Sequence, residues 1–246
     1  MYNTSIKSPA PIPRGSVQDF LFVIIYIYMD KKERVQIYID GGNFYHLVLK
    51  KLQIDSLDFL FDKFAEFLVG ERKLVIWGKR YYTGTVREIE GDKYSKKKMS
   101  EQTKLFTGLK KGSWEMKTSK LRTRLERVVI DQRSLNHKEL LKKGVKYVEF
   151  KRMREKGIDV KLAVDLIIGA MDDKYDTAIL VSSDTDLTPA IDTVINRFGK
   201  KIEYIGFSIL DEDNSDKSVK PSPTLIRVSS ISRVFVANDI IKFKIS

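Results

Sequence analysis

Apolar positions along the chain follow two alternating periods. VQIYID ending at 40, KLVIWGKRYY over 73–82 and AILV over 178–181 are short runs rich in β-branched and aromatic residues, the signature of strands in a sheet covered on both faces. Between such runs lie longer segments with helical spacing, such as VKLAVDLIIGAM over 160–171. The pattern predicts strands over 34–40, 72–83, 145–150, 177–182 and 201–206, helices over about 43–68, 158–172 and 187–198, and a charged helical stretch over about 92–142. Strands alternating with helices indicate an α/β fold, a central mainly parallel sheet with helices on both faces. The region 85–142 is long for one crossover and is expected as a basic helical insertion with a mobile loop at 108–113. Residues 211–224, polar and Pro/Ser-containing, are expected as a surface loop before a short terminal helix or strand.

The first 33 residues fit this organisation poorly. Residues 20–29 are an unbroken apolar run of ten, too short to cross a bilayer as a helix. The run has the length of a signal-peptide core, but no small-residue cleavage site follows it. Met29 stands just before the regular alternation begins. Residues 1–33 are therefore expected to be an extension, disordered or untranslated, ahead of one domain over 34–246. The chain has no Cys, which suits a reducing compartment. The expectation is a cytoplasmic protein with no membrane partner, and a homo-oligomer is compatible with the sequence.

Charge changes the picture. The 246 residues carry 45 Lys+Arg against 33 Asp+Glu, a formal net charge of +12. Residues 71–156 hold 26 Lys+Arg against 11 Asp+Glu, which leaves 19 against 22 for everything else. An acidic core beside a basic middle is the layout of a protein that neutralises phosphates with one part and works on them with another. Trp77, Tyr81, Tyr82, Tyr94, Phe106 and Trp114 lie within the basic region. Aromatics among Lys and Arg can stack unpaired bases. Trp77 and Tyr81, in a strand-like run, read more simply as core.

The candidate chemistry sits at strand ends. AILVSSDTD over 178–186 is an apolar strand running out into Asp184 and Asp186, and VQIYID delivers Asp40 in the same way before Gly41, Gly42 and Asn43. Carboxyl ends of parallel strands face the crevice where open α/β sheets bind ligands. Asp159 opens the helix after Gly157, where the helix dipole alone also favours an acid; Asp165, six residues on, lies about 120° round that helix and need not share its face. Clustered carboxylates suit Mg²⁺ or Mn²⁺, and such ions with a phosphodiester orient water and stabilise developing charge. Asn43 reads equally as a helix N-cap. His46 reads as a packed or capping residue before a general acid, and Ser182 and Ser183 as turn residues able to hydrogen-bond water or phosphate. His46 and His137 lack zinc-site spacing, and neither GxxxxGK[ST] nor GxGxxG occurs.

IDGGNFYH at 39–46, KGIDVKLAVDLI at 156–167 and LVSSDTDLTPAI at 180–191 resemble, in this order, the three acidic motifs of the NYN domain, with the likeness closest to the LabA-like branch of these PIN-like nucleases. The resemblance spans roughly 34–207. It implies a PIN-like three-layer fold and Mg²⁺- or Mn²⁺-dependent cleavage of RNA. It carries over Asp40, Asn43, Asp159, Asp184 and Asp186 as catalytic residues, Asp40, Asp159, Asp184 and Asp186 as metal ligands, and Asp165 as a further helix acid. Two positions depart from the family's S-G-D-x-D-F: Ser183 replaces glycine and Leu187 replaces the aromatic. The expected activity is an endoribonuclease acting on single-stranded or structured RNA bound along 71–156. Two alternatives stand beside it. One is a regulatory module that binds RNA without cutting it. The other is a haloacid-dehalogenase-like phosphatase, whose D-x-D-x-T pattern DTDLT matches.

Overall fold

The apolar runs become the middle of a six-stranded sheet in the computed structural model, which describes residues 32–86, 88, 91–120, 122–154, 157–211 and 218–245. Strands β1 (Arg34–Asp40), β2 (Lys73–Thr85), β3 (Glu115–Lys120), β6 (Thr177–Val181), β7 (Lys201–Ser208) and β8 (Ile231–Val236) take the order β3-β2-β1-β6-β7-β8. Every pairing in this sheet is parallel. β1 beyond Arg34 and all of β6 are buried, which is why both read as continuous apolar segments.

Strand parity divides the core in two. Val35, Ile37, Ile39, Ile179 and Val181 face one layer, where they join Phe44, Phe59, Phe64 and Phe243 around helix α2 (Phe61–Val69). Tyr38, Ala178 and Leu180 face the other, against Leu162 and Leu166 of α5 (Ile158–Met171) and Ile191 and Val194 of α6 (Thr188–Phe198). The result is the three-layer α/β arrangement expected from the alternation.

Three element predictions need correction. The helix expected over 43–68 is broken: α1 (Gly41–Phe44) continues as a π turn to Leu49, Gln53 takes a left-handed φ of 53°, and Asp55 caps a 3₁₀ turn before α2. The apolar spacing runs across this break, so periodicity alone hides it. The charged stretch over 92–142 is only half helical. Helix α3 (Lys93–Lys111), capped by the Asp92 carboxylate, runs through Gly108, where a loop was expected. It is followed by β3 and β4 (Arg122–Val129), then α4 (His137–Lys142) and β5 (Tyr147–Arg154). β4 and β5 form a separate antiparallel ribbon. The strand alternation was masked there because exposed apolar residues and charges share the ribbon. The terminal segment forms α7 (Pro223–Val228), β8 and α8 (Ala237–Ile241).

Residues 33–246 form one compact unit. The expectations for 1–33 fall almost entirely outside the described residues, as does much of the loop expected at 211–224. No described helix is long and apolar enough to cross a membrane.

Candidate active site

The chain builds the sheet outward in one direction from β1 through β2 to β3, and in the other from β6 through β7 to β8. The order therefore reverses between β1 and β6, and the carboxyl ends of these two strands form the crevice where α/β sheets place ligands. Asp40 ends β1, and Ser182, Ser183 and Asp184 follow β6.

Hydrogen bonds lock the two strand ends together. Asp40 caps α1, its Oδ1 accepting from the Asn43 backbone N–H at 3.0 Å. The cap is thus Asp40 and not Asn43. The Asn43 side chain reaches across the switch point instead, where its Oδ1 accepts from the Ser183 N–H at 3.0 Å. Ser182 Oγ donates to Asp40 Oδ2 at 3.4 Å and accepts from the Asp184 N–H at 3.2 Å. Asp184 in turn caps a 3₁₀ turn by accepting from the Asp186 N–H at 2.9 Å. The acids form a gradient of depth: Asp40 is buried, Asp184 half-buried, and Asp186 and Asp159 exposed at the rim.

Asp159 stands in the first turn of α5. Partial desolvation, with the charges of Asp184 and Asp186 nearby, holds its carboxyl above the ordinary aspartate value. Asp159, Asp184 and Asp186 are therefore electrostatic neighbours although they come from two separate motifs. Asp165 has other partners. Its Oδ2 accepts from Tyr82 OH at 2.8 Å and lies 3.6 Å from both Arg80 Nη1 and Lys117 Nζ. The same acid holds Tyr82, already pushed up by burial, far above the ordinary phenol range.

The aromatic residues of the basic region divide by environment. Tyr81, Tyr82 and Trp114 are buried, with Trp114 Nε1 donating to Asp62 at 2.9 Å. Trp77, expected in the core, is exposed, because β2 bulges: Val35 pairs with Leu74 but Ile37 with Lys79, so two steps along β1 answer five along β2. The bulge gives Trp77 a φ of 56° and extrudes it with Ile76. It lies where β1 begins, at the sheet edge opposite the carboxylates. Tyr94, at the start of α3, is exposed with Lys93, Lys96 and Lys97. His46 is exposed and rests edge-on against Tyr45, so it is not a packed core residue.

A family profile for the NYN domain matches residues 34–226. The chain belongs to the NYN domain family. NYN domains are part of the PIN-like nuclease superfamily, and the three-layer architecture around a parallel sheet is consistent with that fold. Among solved structures, this NYN domain is similar to a protein of unknown function from Vibrio parahaemolyticus, with 18% sequence identity, 84% of this chain and 94% of that chain covered, and a TM-score of 0.48. No curated protein matches it.

The two departures from the NYN motif are accommodated. Ser183 stays outside the left-handed backbone region that would demand glycine, and its N–H is held by Asn43. Leu187 is buried against α5 and α6. Among the described residues, no three His, Asp or Glu side chains converge into a ready-made cation cage. The donor chemistry nonetheless fits a hard divalent ion: the crevice offers carboxylate and hydroxyl oxygens without a soft ligand, and Mg²⁺ takes one or two carboxylates while keeping several waters.

Proposed function

We propose that this NYN domain is a Mg²⁺- or Mn²⁺-dependent endoribonuclease acting on single-stranded or structured RNA. The observation that carries the reading is the linkage of Asp40 to the Asp184 backbone through Ser182 at the β1/β6 switch point, with Asp159 held above the ordinary aspartate value by partial desolvation and by the nearby charges of Asp184 and Asp186. A like-charged cluster at a ligand-binding crevice is poised for a cation. Bound there by Asp40, Asp159, Asp184 and Asp186, the ion would polarise the scissile phosphate and lower the pKa of an attacking water.

The chain's own residues supply position. Ser182 holds Asp40 and Asp184 in register, and Asn43 clamps the loop after β6 to the helix after β1. Asp165 acts as a charge partner that organises Arg80 and Lys117 behind the crevice. Asp184 lies after β6, the sixth strand in chain order, whereas the phosphatase pattern belongs on a first strand. A second reading, an RNA-binding module without cleavage, draws support from the basic region 71–156, with 26 Lys+Arg against 11 Asp+Glu, which would bind a polyanion whether or not it is cut.

One experiment separates these readings. The full chain is incubated with end-labelled single-stranded RNA in Mn²⁺, Mg²⁺ or EDTA, beside Asp184→Asn. Metal-dependent cutting that Asp184→Asn abolishes is the expected result. RNA binding by both proteins, with no cutting under either metal, assigns the domain to the non-catalytic class.

A further inference from the structure

Lysine placement along α3 opposes the electrostatics of a helix at one end only. Lys93, Lys96, Lys97 and Lys98 fall within its first six residues, and its first turn holds no acid. The amino end of a helix carries partial positive charge, so cations there are destabilising, as are like charges three or four residues apart. The Asp92 cap offsets part of this cost. Glu101 reaches Lys97 at 3.8 Å and Lys98 at 2.9 Å, but among the described residues no carboxylate forms an ion pair with Lys93 or Lys96. Lys110 and Lys111 close the same helix, where the dipole favours them. Only the lysines at the start break the rule, and residues that break a local rule without local compensation mark functional surfaces.

These lysines stand over the carboxylate edge of the sheet. β2 runs parallel to β1 and ends at Thr85, three residues past Tyr82, the partner of Asp40. The Gln102 side chain seals that end, donating to the Gly84 carbonyl at 2.7 Å and accepting from the Val86 N–H at 2.8 Å. Because β3 is parallel to β2, α3 must return from there toward the edge where the strands begin. The nine steps back from Gln102 to Lys93 span about 13 Å, and this length of helix projects beyond the end of β2.

Burial orients the projecting turns. Leu105 and Leu109 join the core cluster, so the opposite face, with Lys93, Lys96, Lys97 and Ser100, is exposed. Tyr94 lies on the flank between the two faces and is 68% exposed. Lys98 Nζ sits 5.8 Å from the Tyr94 ring centroid and close enough to Tyr45 to sense its charge. Tyr45 follows α1 directly, so the Tyr94 flank borders the helix that Asp40 caps. Cations neutralise any polyanion. An exposed ring among them narrows the choice to a strand with unpaired bases, which stack on aromatic faces.

We propose that the amino-terminal end of α3 is a single-strand RNA clamp at the rim of the carboxylate crevice, in which Lys93, Lys96 and Lys97 neutralise phosphates and Tyr94 stacks an unpaired base. This rests on the ribonuclease reading for the identity of the polyanion. The bound backbone supplies the negative charge that the first turn of the helix lacks.

The test is binding of a fluorescent RNA, as a single strand and as a duplex, to the full chain in an Asp184→Asn background over a series of salt concentrations. Lys93→Gln/Lys96→Gln/Lys97→Gln should lose about tenfold or more in affinity for the single strand, and its log–log salt slope should fall by roughly 2, from about 0.7 per lost phosphate contact. Its melting temperature should be unchanged or higher, because repulsion in the first turns is relieved. Tyr94→Ala should lose about fivefold or more on the single strand and little on the duplex, with the salt slope unchanged, because stacking releases no counterions. A control, Lys73→Gln/Lys110→Gln/Lys111→Gln, removes the same charge from exposed lysines at the edge where β2 and β3 begin and should bind as the parent does. Unchanged affinity and slope in the triple variant, an equal loss in the control, or full binding by Tyr94→Ala overturns the proposal. Cleavage by the unmodified chain alongside unchanged binding by the triple variant removes the clamp and leaves the nuclease. Loss of binding in the triple variant and in Tyr94→Ala, with no cleavage by the unmodified chain, removes the nuclease and leaves the clamp.

Discussion

Asp159 carries its charge in an unfavourable environment. Its folded-state carboxyl is raised by desolvation, Asp184 and Asp186, so the native state binds this proton more tightly than the unfolded chain does. Stability therefore falls as pH rises through the interval above the ordinary aspartate value, and the penalty is fully present at neutral pH. Asp159→Asn is expected to abolish cleavage and to raise the melting temperature at pH 7, with the gain vanishing near pH 3. Thermal melts of both proteins across pH 3–8 check this; a variant that melts lower at pH 7 contradicts the electrostatic account. Mg²⁺ should raise the melting point of the unmodified chain more than that of the variant, because the ion relieves the same repulsion. The residues themselves were visible in the sequence as motif acids. Helix geometry already allowed Asp165 a face of its own, but its partners were not visible, since only the fold turns Asp165 toward Arg80 and Lys117 while bringing Asp159 to the carboxylates of the β6 loop.

The β1–α1 junction shows how an element's geometry rests on a single atom. A Cβ on Gly41 would stand 2.2 Å from the Tyr81 ring, whereas one on Gly42 would meet only Asp40 Oδ1, at an ordinary 3.5 Å. Glycine is thus required at 41 for close approach, not for backbone freedom. Gly41→Ala should cost about 1–3 kcal/mol by overpacking and displace Asp40 with it. Gly42→Ala should be neutral or stabilising by up to about 1 kcal/mol, as for glycine replaced inside a helix. Denaturant melts of the two variants distinguish them, and equal costs would contradict the role given to Tyr81. From the sequence the two glycines are equivalent turn signals. Likewise, no local pattern announces the β2 bulge, because the extra residues are apolar and extend the strand-like run.

At the scale of the whole molecule, one buried charge cluster ties the sheet to its flanking layer. Glu203 of β7, 2% exposed, receives Arg72 at 2.5 Å and also Arg233 of β8, and both arginines donate to the Leu68 carbonyl at 2.7 Å near the end of α2. Removing the acid strands two partly buried cations. Glu203→Ala is expected to cost about 3 kcal/mol, a fall in Tm of roughly 6–12 °C, without moving the carboxylate crevice at the opposite sheet edge. A calorimetric melt paired with the RNA-binding assay reads both quantities. Sequence alone determined the period of each core segment, hence the α/β class and the parallel sheet, because burial on two faces leaves continuous apolar runs that no other arrangement explains as simply. It also marked Asp40, Asp159, Asp184 and Asp186 as strand-end and helix-start acids. Tertiary structure decided what depends on partners distant in the chain: the strand reversal between β1 and β6 that brings Asp40 to Ser182, the pairing of Asp165 with cations, and the register shift against β1 that extrudes Trp77 from β2. Those relations are set by which elements become neighbours, and local periodicity carries no information about neighbours distant in the chain.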